Sequence, residues 1–476
     1  MSSIPNITVP DTLLILATEL PRNHFGDTHE PFALTAFGMT FFVVTQAKHC
    51  AEVYKNTATL SFEGFVQGLM RINGNSKQAI DVMYADLPSD KPGFANPSGE
   101  SLGVLAQNMH IHQLHPNGNN LIHLQRKVQI WIDGNLNLGY LLKASTCTTT
   151  QSAAHLEVPL YQWVSGLFVQ LGQEVYFGQT LGRVAPGATR AFLVFDELIW
   201  KVLYHYPSFL SRDMAAGRAE VVDGLCKYLR TPKEEWSDAT WLISAMEDEM
   251  RALGVGVEDM AIIIFHLYIS INTNARKSVF WVLTYLIYNP SLLAAYREET
   301  DKAFDGDSLV DPFYIQDPQH CPLVDAVWHE TLRIAGWSAS IRLITQDTVV
   351  GGKRMPKGHR VIVPHRLQHF DEAVFGADTH AFRPERWLKT ENGGRKDLTK
   401  SPSWHPFGAG RTLCSGRFLA RYSVTTFVAT LLRRFNIEAV GNPAFPQGDE
   451  GRPVLGIISI KEGQDFNVRL TPRAYR

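Results

Sequence analysis

The sequence predicts one large, mainly α-helical domain with small β-sheets. Residues 257–289 form a long segment that is apolar almost all round, as in a helix through the middle of a large domain. No linker divides the 476 residues, although the chain is long for one domain. Short segments rich in β-branched and aromatic residues predict the sheets.

The elements follow one another along the chain with short Gly or Pro breaks. Residues 32–45 surround a glycine and predict a β-hairpin. Further strands are predicted at 340–343 and 361–364, and a terminal hairpin at 454–460 and 466–470. Helical spacing of apolar residues is found at 46–56, 60–83, 160–180, 190–206, 213–230, 235–253, 291–304, 323–333 and 418–432.

Composition and charge exclude several classes of protein. A 45% apolar and 19% charged chain predicts a large core and leaves little room for disorder. The formal net charge of −2 argues against a nucleic-acid partner. Five widely spaced cysteines do not suggest a disulfide framework, which favours a reducing compartment. Residues 1–30 contain no apolar run of membrane-spanning length, so we expect a lead-in without an anchor, followed by one domain over 31–476.

The stretch with the clearest chemistry is the glycine-rich loop 407–417, F-G-A-G-R-T-L-C-S-G-R. Its glycines allow tight turns and a close approach of the backbone to a flat ligand. Cys414 precedes an apolar helical segment, and a helix N-terminus favours the thiolate form of a cysteine. We interpret the other four cysteines as small buried hydrophobic residues.

This loop resembles the haem-binding loop of the cytochrome P450 family, F-x-x-G-x-R-x-C-x-G. Phe407, Gly410, Cys414 and Gly416 match the pattern in register, whereas Thr412 stands where the pattern has arginine. The resemblance covers roughly residue 30 to the end of the chain. It implies haem b held by the Cys414 thiolate between the central long helix and the helix after the loop. Phe407, Gly408 and Thr412 are then cofactor-binding residues.

Two further motifs of the family occur in the expected order. Glu330 and Arg333 form an E-x-x-R pair, and such residues share one face of a helix. Arg386 lies in F-R-P-E-R-W at 382–387, where the family supplies the arginine that locks onto this pair. The resemblance implies a buried triad that serves folding and haem retention and takes no part in the chemistry.

Two arginines are candidates for binding the haem propionates. Arg342 lies where the family usually supplies such an arginine, which would offset the loss at Thr412. Arg126 belongs to a degenerate W-x-x-x-R motif in which Ile122 replaces the tryptophan. Three nearby histidines, at 110, 112 and 115, lack cysteine or carboxylate partners at ligand spacing, so a zinc site is not favoured.

A polar island interrupts the central helix at 270–277, S-I-N-T-N-A-R-K. Either this segment is a solvent-exposed kink, or it lies over the haem iron. In the family register Asn274 replaces the oxygen-activating threonine, and Thr273 occupies the acid position, so both are candidate catalytic residues. Together with Thr412 and Phe280-Trp281, this resembles the branch of prostacyclin synthase and the sterol 7α- and 12α-hydroxylases, or a fungal-type biosynthetic member.

That branch contains two chemistries, and the residues permit both. Monooxygenation is commoner in the family. It would oxidise a terpenoid, sterol or other lipophilic secondary metabolite with O₂ and electrons from NADPH-cytochrome P450 reductase, with Asn274 and a water relaying protons. The alternative is an isomerase or dehydratase that rearranges a peroxide without a reductase. A non-catalytic haem-binding protein and a helical binding protein without haem are also open.

Partners and location follow only from the resemblance. We expect a monomer on the cytosolic face of the endoplasmic reticulum membrane if an anchor was trimmed, and a cytoplasmic protein otherwise. Arg417 and Arg421 are four residues apart and could belong to a basic face for an acidic reductase. A solvated helix face explains them equally well.

Overall fold

The computed structural model describes residues 6–8, 29–36, 39–144, 147–152, 154–203, 206–388, 397–452 and 454–474. Most of the predicted lead-in over 1–30 lies outside the described residues. The predicted fold class is confirmed, because long helices dominate and the sheets are small. Among the described residues no single helix has the length and hydropathy of a membrane span, although Val257–Ile287 and Pro290–Ala303 together reach both across a 115° bend.

The helices are numbered in chain order. They are α1 (Ala47–Lys55), α2 (Glu63–Ile72), α3 (Lys77–Met83), α4 (Leu102–Gln113), α5 (Asn119–Asn135), α6 (Leu138–Ala144), α7 (Leu160–Phe177), α8 (Gln179–Val184), α9 (Ala188–Leu198), α10 (Trp200–Leu203), α11 (Arg212–Arg230), α12 (Trp241–Ala252), α13 (Val257–Ile287), α14 (Pro290–Thr300), α15 (Pro312–Gln316), α16 (Pro322–Ala335), α17 (His365–His369), α18 (Glu372–Phe375) and α19 (Arg417–Arg434).

The strands form two larger sheets and two hairpins. The six-stranded sheet has the order β1-β2-β3-β12-β9-β4, the four-stranded sheet has the order β13-β14-β6-β5, and β10-β11 and β7-β8 are antiparallel pairs. Their bounds are β1 (Asn6–Thr8), β2 (Phe32–Ala36), β3 (Met39–Val43), β4 (Leu60–Ser61), β5 (Thr150–Gln151), β6 (Leu156–Pro159), β7 (Phe304–Asp305), β8 (Ser308–Leu309), β9 (Ala339–Ile344), β10 (Thr348–Val350), β11 (Lys353–Met355), β12 (Arg360–Pro364), β13 (Phe435–Ala439) and β14 (Asn467–Pro472).

Helix α13 is the centre of the core, as its apolar composition predicts. It packs against α7, α11, α16 and α19. Glu258 and Asp259 in its first turn complement the helix dipole. The helix ends at Ile287, three residues before Pro290, and the Asn289 side chain then accepts the Leu292 N–H and caps α14.

The predicted terminal hairpin is wrong. Residues 454–460 form no strand and make only isolated bridges, such as Ile457 with Gly336. The last strand, β14, instead pairs antiparallel with β13 and β6. Both partners are supplied by distant parts of the chain, so a local pattern cannot identify them. The predicted helix over 190–206 is also divided, into α9 and α10.

The predicted triad comes together at the end of α16. Glu330 accepts two hydrogen bonds from Arg333, both 2.9 Å, and one of 2.9 Å from Arg386 Nε. The Trp387 indole N–H and the Arg383 backbone N–H also donate to Glu330, each over 2.8 Å. Glu330 and Arg333 are fully buried, and the Glu330 carboxylate compensates both guanidinium groups, while Asp378 also pairs with Arg386 over 3.3 Å.

Two buried histidines next to the triad make the fold sensitive to acid. Burial lowers the pKa of His365 to about 3, and burial together with His365 and His405 lowers the pKa of His369 well below its usual value. In the unfolded chain both titrate near about 6.5. Below that pH the two histidines are protonated in the unfolded state but stay neutral in the folded state. The free energy of unfolding is therefore highest above about pH 6.5 and falls by up to about 1.4 kcal/mol per pH unit for each histidine as the pH decreases.

We therefore expect the free energy of unfolding to fall steadily between pH 6.5 and 4, as measured by urea titration at several pH values. The variant His369→Gln should flatten this slope, because it removes one buried imidazole. His123→Gln at an exposed helical position is the matched control and should leave the slope unchanged. An identical slope in His369→Gln and the unsubstituted protein would contradict this account of acid sensitivity.

Candidate active site

A cavity of about 800 Å³ lies beside the middle of α13. Its walls come from α2, α7, α13, β9, the loop 406–416 and the start of α19. Apolar side chains dominate the walls, and they include Phe62, Phe65, Leu69, Phe168, Leu171, Val175, Leu267, Ile271, Leu332, Leu419, Leu455 and Ile457. None of the described lining residues is an aspartate or glutamate.

Cys414 lines this cavity just before α19 begins. Its backbone N–H donates to Phe407 O over 3.0 Å, which folds the loop back on itself, and its side chain is accessible from the cavity. Burial among the surrounding protein raises the pKa of the Cys414 thiol, while the backbone N–H groups of Gly416 and Arg417 and the Arg417 charge oppose that rise. A coordinated metal cation would outweigh the burial and hold the sulfur as a thiolate.

The glycines of the loop meet a conformational need. Gly408 and Gly410 have φ values of +74° and +63°, in the left-handed region that favours glycine. A Cβ at position 410 would approach Tyr54 O to 3.2 Å. Phe407, Gly408 and Thr412 all line the cavity, so the loop lies along one of its walls.

Arg342 brings a buried positive charge to the same cavity. It is 6% exposed, and among the described residues no carboxylate pairs with it. It donates to Thr412 Oγ1 over 2.5 Å and to Ile341 O over 2.8 Å. Burial lowers the pKa of Arg342, although the nearby Tyr54 acts in the other direction. An uncompensated buried guanidinium facing a cavity fits a ligand that carries a carboxylate.

Thr412 therefore has a contact that the sequence did not suggest. Its hydroxyl accepts from Arg342 and lies 3.2 Å from Ala409 O, so it holds the guanidinium at the cavity wall. Arg126 does not join this group. It is exposed on α5 and is absent from the lining residues, although Val128 of the same helix lines the cavity.

The thiol, the glycine turns and the buried guanidinium together fit a haem. The sulfur is a soft ligand for iron, the glycines leave space for a flat ring, and Arg342 offers hydrogen bonds to a propionate. Arg342 and the loop of Cys414 line the same cavity although they are about 70 positions apart in the chain.

Asn274 and Thr273 lie on different faces of α13. Asn274 lines the cavity, and its Oδ1 accepts the Ile457 backbone N–H over 2.9 Å. The Nδ2 group keeps both donors and Oδ1 keeps a second lone pair, so Asn274 can still donate and accept hydrogen bonds in the cavity. Thr273 is buried away from the cavity and donates to Asp196 Oδ1 over 2.6 Å. The structure thus brings Asn274 to the cavity and does not bring Thr273 there.

An ion cluster missed by the sequence analysis lies behind Thr273. It consists of Asp196 and Glu197 from α9 with Arg276 and Lys277 from α13. Arg276 Nη2 pairs with Asp196 and lies 2.7 Å from Glu197 Oε1, and Lys277 Nζ lies 3.2 Å from Asp196. Burial opposes ionisation of Asp196, but the charges of Lys277 and Arg276 bring its pKa well below its usual value. The sequence signal that could have identified this cluster is the pair of adjacent cations, Arg276 and Lys277, within an otherwise apolar helix.

Comparisons with known proteins agree with this architecture. The family model for Cytochrome P450 matches residues 207–462, which is more than half of the chain. A solved structure of a cytochrome P450DA mutant heme domain has a TM-score of 0.67 and 15% identity, over 100% of this chain and 98% of that chain. At that identity the likeness shows the fold alone.

Curated relatives include fungal and mammalian proteins. "Cytochrome P450 monooxygenase poxD" of Penicillium oxalicum is 23% identical over 86% of this chain and 81% of its own length. "Cholesterol 7-alpha-monooxygenase" of Cricetulus griseus is 22% identical over 70% of each chain. "Cytochrome P450 7A1" of Sus scrofa is 24% identical, again over 70% of each chain.

The predicted resemblance to sterol 7-hydroxylases and fungal members is confirmed by these relatives. The family match covers most of the segments that form the cavity, including the loop of Cys414. This chain therefore belongs to the cytochrome P450 family and is a monooxygenase that works with a thiolate-ligated haem.

Proposed function

We propose that this monooxygenase oxidises a lipophilic small molecule, a terpenoid, sterol or other secondary metabolite, with electrons from NADPH-cytochrome P450 reductase. The observation that carries the proposal is the cavity of about 800 Å³, whose walls are largely apolar and contain Cys414. The cavity has to hold the haem as well as the substrate, and its largely apolar lining suits a mostly hydrocarbon substrate. The names of the sterol and fungal relatives support the same substrate class.

In this proposal residues 31–476 form one catalytic domain, and the Cys414 thiolate would hold the haem iron. When bound, the thiolate-ligated haem supplies the oxygen-activating centre, because the sulfur favours O–O cleavage. Phe407 and Gly408 lie against the cofactor. Arg342 binds a propionate, and Thr412 orients Arg342 through the hydrogen bond of 2.5 Å.

Asn274 is a fixed hydrogen-bonding group in this site. Its oxygen is held by the Ile457 N–H, so Nδ2 can bind an oxygen atom of a water or of the substrate. Asn274 and an ordered water relay protons in this proposal, because Nδ2 donates while the second lone pair of Oδ1 still accepts a hydrogen bond. Ser270 and Ser278 share its face of the helix, and their hydroxyls donate to the backbone oxygens of His266 and Asn274 over 2.9 and 3.0 Å.

A second candidate function is a reductase-independent isomerase or dehydratase that acts on a peroxide. One observation favours it, since no carboxylic acid lies among the described residues that line the cavity. Such a rearrangement needs no proton delivery and no external electrons, so electron dependence separates the two candidates.

Arg342 gives a prediction about cofactor retention. The variant Arg342→Ala should release haem roughly 10- to 100-fold faster, because a partner that orients a bound group typically contributes that much to affinity. Arg342→Lys keeps the charge and should restore part of the retention. The measurement is the rate of haem transfer to an excess of apomyoglobin.

Arg126→Ala is the matched comparison, since Arg126 is exposed and outside the cavity wall. We expect it to retain haem as well as the unsubstituted protein does. Faster loss from Arg126→Ala than from Arg342→Ala would assign the propionate to Arg126 and refute the role given to Arg342.

The function itself is tested by a ligand screen. Terpenoids, sterols and related metabolites are added to the holoprotein, and compounds that produce type I spectral shifts are incubated with and without reductase and NADPH. We expect oxygenated product only with both. Product formation that is equal without reductase would favour the isomerase, and tight binding of charged, polar compounds alone would contradict a lipophilic substrate.

A further inference from the structure

We propose that Gly456 is a specificity-determining residue, because it lets Asn274 hold one apolar wall of the cavity close to α13. The wall is the segment 454–458, and its position selects which part of the substrate is oxidised. This inference rests on the proposed monooxygenase function, because a wall selects a position only if the cavity oxidises a lipophilic substrate. Asn274 thereby has a second role beside the proton relay, that of a positioning residue.

The segment 454–458 contributes apolar surface to the cavity but belongs to no sheet. Residues 454–457 all line the cavity. Leu455 is exposed, so its side chain is open to a ligand, whereas Ile457 is buried against the protein. The segment forms no strand and makes only isolated bridges within the described part of the chain. Its position therefore depends on a few individual hydrogen bonds, without the support of a continuous ladder.

One side of the segment is fixed by the end of α16 and the residues after it. The Trp337 backbone N–H donates to Gly456 O over 2.7 Å, and the Ile458 backbone N–H donates to Ala335 O over 2.9 Å. Donor and acceptor are backbone groups in both bonds. These bonds therefore follow from the path of the chain and not from the identity of the side chains.

The other side of the segment is fixed by side chains of α13. Asn274 Oδ1 accepts the Ile457 backbone N–H over 2.9 Å, and the Trp281 indole N–H donates to Ile458 O over 2.9 Å. Asn274 and Trp281 are seven residues apart, so they share one face of the helix. Asn274 lines the cavity and Trp281 does not. Asn274 thus holds the segment at the cavity itself.

Gly456 is required by space and not by its backbone angle. Its φ lies outside the left-handed region. A Cβ at this position would lie 2.7 Å from Asn274 Nδ2, and the three atoms nearest to that Cβ all belong to the Asn274 amide. Relaxed contacts between non-bonded carbon atoms are about 3.5–4.0 Å. Any larger residue at position 456 therefore displaces either the amide or the segment.

The separation between α13 and the segment sets the position of the Leu455 and Ile457 side chains. An apolar pocket holds its substrate by shape, and one methylene in such a pocket changes selectivity by roughly 10- to 200-fold. A misplacement of about 1 Å away from the reacting atoms costs a comparable factor, roughly 100-fold. The close contact between Gly456 and Asn274 thus controls where the substrate lies.

The test is a double-mutant cycle in the holoenzyme with Gly456→Ala and Asn274→Ala. The measurement is the distribution of oxygenated products from the lipophilic ligands found in the spectral screen. Gly456→Ala alone should change this distribution by roughly tenfold. In the Asn274→Ala background it should cause little further change, because the amide that it displaces is absent. Equal effects of Gly456→Ala in both backgrounds would overturn the proposed pairing.

The variant Asn274→Asp separates positioning from the proton relay. An aspartate keeps an acceptor oxygen for the Ile457 N–H but has no Nδ2 donor. The product distribution of the unsubstituted enzyme should therefore be kept, and any loss of coupling between NADPH and product belongs to the relay. A distribution altered as strongly as in Asn274→Ala would show that the hydrogen bond to the segment does not select the product.

Hydrogen exchange gives a readout that needs no turnover. Asn274 Oδ1 protects the Ile457 amide, so peptides that contain residues 454–458 should exchange one more amide hydrogen at short times in Asn274→Ala and not in Asn274→Asp. Gly166→Ala is the matched control, since Gly166 lies on α7 outside the lining residues and a Cβ there meets nothing within 4 Å. It should change neither the exchange nor the products.

An unchanged product distribution in Gly456→Ala, or equal exchange in Asn274→Ala and the unsubstituted protein, would overturn the inference while the unsubstituted enzyme still oxidises its substrate. If Gly456→Ala does not retain haem, the exchange comparison and Asn274→Asp decide between the outcomes. Failure of the unsubstituted enzyme to oxidise any lipophilic ligand with reductase and NADPH would instead overturn the proposed function. The two failures are therefore distinguishable.

Discussion

Replacement of Cys414 by alanine is expected to abolish turnover and the thiolate-type absorption band of the reduced carbon monoxide complex. Cys414 is the cysteine among the described lining residues, and its sulfur is accessible from the cavity. Partners that merely orient a metal ligand contribute roughly 10- to 100-fold to activity, so loss of the ligand itself should exceed that range.

The matched control is Cys147→Ala, because Cys147 is partly buried and lies outside the cavity walls. That variant should keep both the band and the activity. Haem content is measured in parallel, since Arg342 and the apolar walls can still hold some cofactor without the sulfur. An unchanged thiolate band in Cys414→Ala would show that another group ligates the iron.

Glu330→Ala is expected to prevent accumulation of folded protein. The substitution leaves two guanidinium groups, Arg333 and Arg386, buried without their shared carboxylate. Breaking a buried ion pair in this way costs about 3–5 kcal/mol, and removal of the acceptor for two further N–H donors adds to it. That cost is a large part of a typical unfolding free energy of about 5–15 kcal/mol.

The yield of soluble holoprotein and its thermal midpoint measure this effect. Glu298→Ala, at an exposed position on α14, is the control and should change neither quantity. A Glu330→Ala protein with normal yield and midpoint would contradict the role assigned to the triad in folding.

The parts of the site that could be predicted from sequence are those with local spacing. Glycines and Cys414 occur within eleven residues, and the E-x-x-R pair spans one helical turn, so each pattern carries its own geometry. The apolar character of α13 likewise identified the central helix.

What sequence could not predict depends on contacts between distant segments. One lone pair of Asn274 Oδ1 is occupied because Ile457 approaches it from the C-terminal part of the chain. The same packing explains why residues 454–460 do not form the predicted strand. Register alone predicts a catalytic role for Thr273, whereas the orientation of its face of α13 directs its hydroxyl to Asp196 on α9.

The two arginines that we expect to bind the propionates lie in different places, again because of contacts between distant segments. Arg342 lies on β9 inside the six-stranded sheet, where β12 and β4 cover its neighbours and its side chain is left facing the cavity. Arg126 lies on the exposed side of α5. Charge and position in a family motif predict propionate binding for both residues, and only the packing of the folded chain distinguishes them.

The most direct test of the central claim, electron-driven monooxygenation of a lipophilic substrate in this cavity, is the fate of labelled oxygen. A compound that gives a type I shift is incubated with holoprotein, reductase, NADPH and ¹⁸O₂, and the product is analysed by mass spectrometry. We expect one labelled oxygen atom in each product molecule and no product without NADPH. Product that forms without NADPH and carries no label would contradict monooxygenation and identify the enzyme as an isomerase.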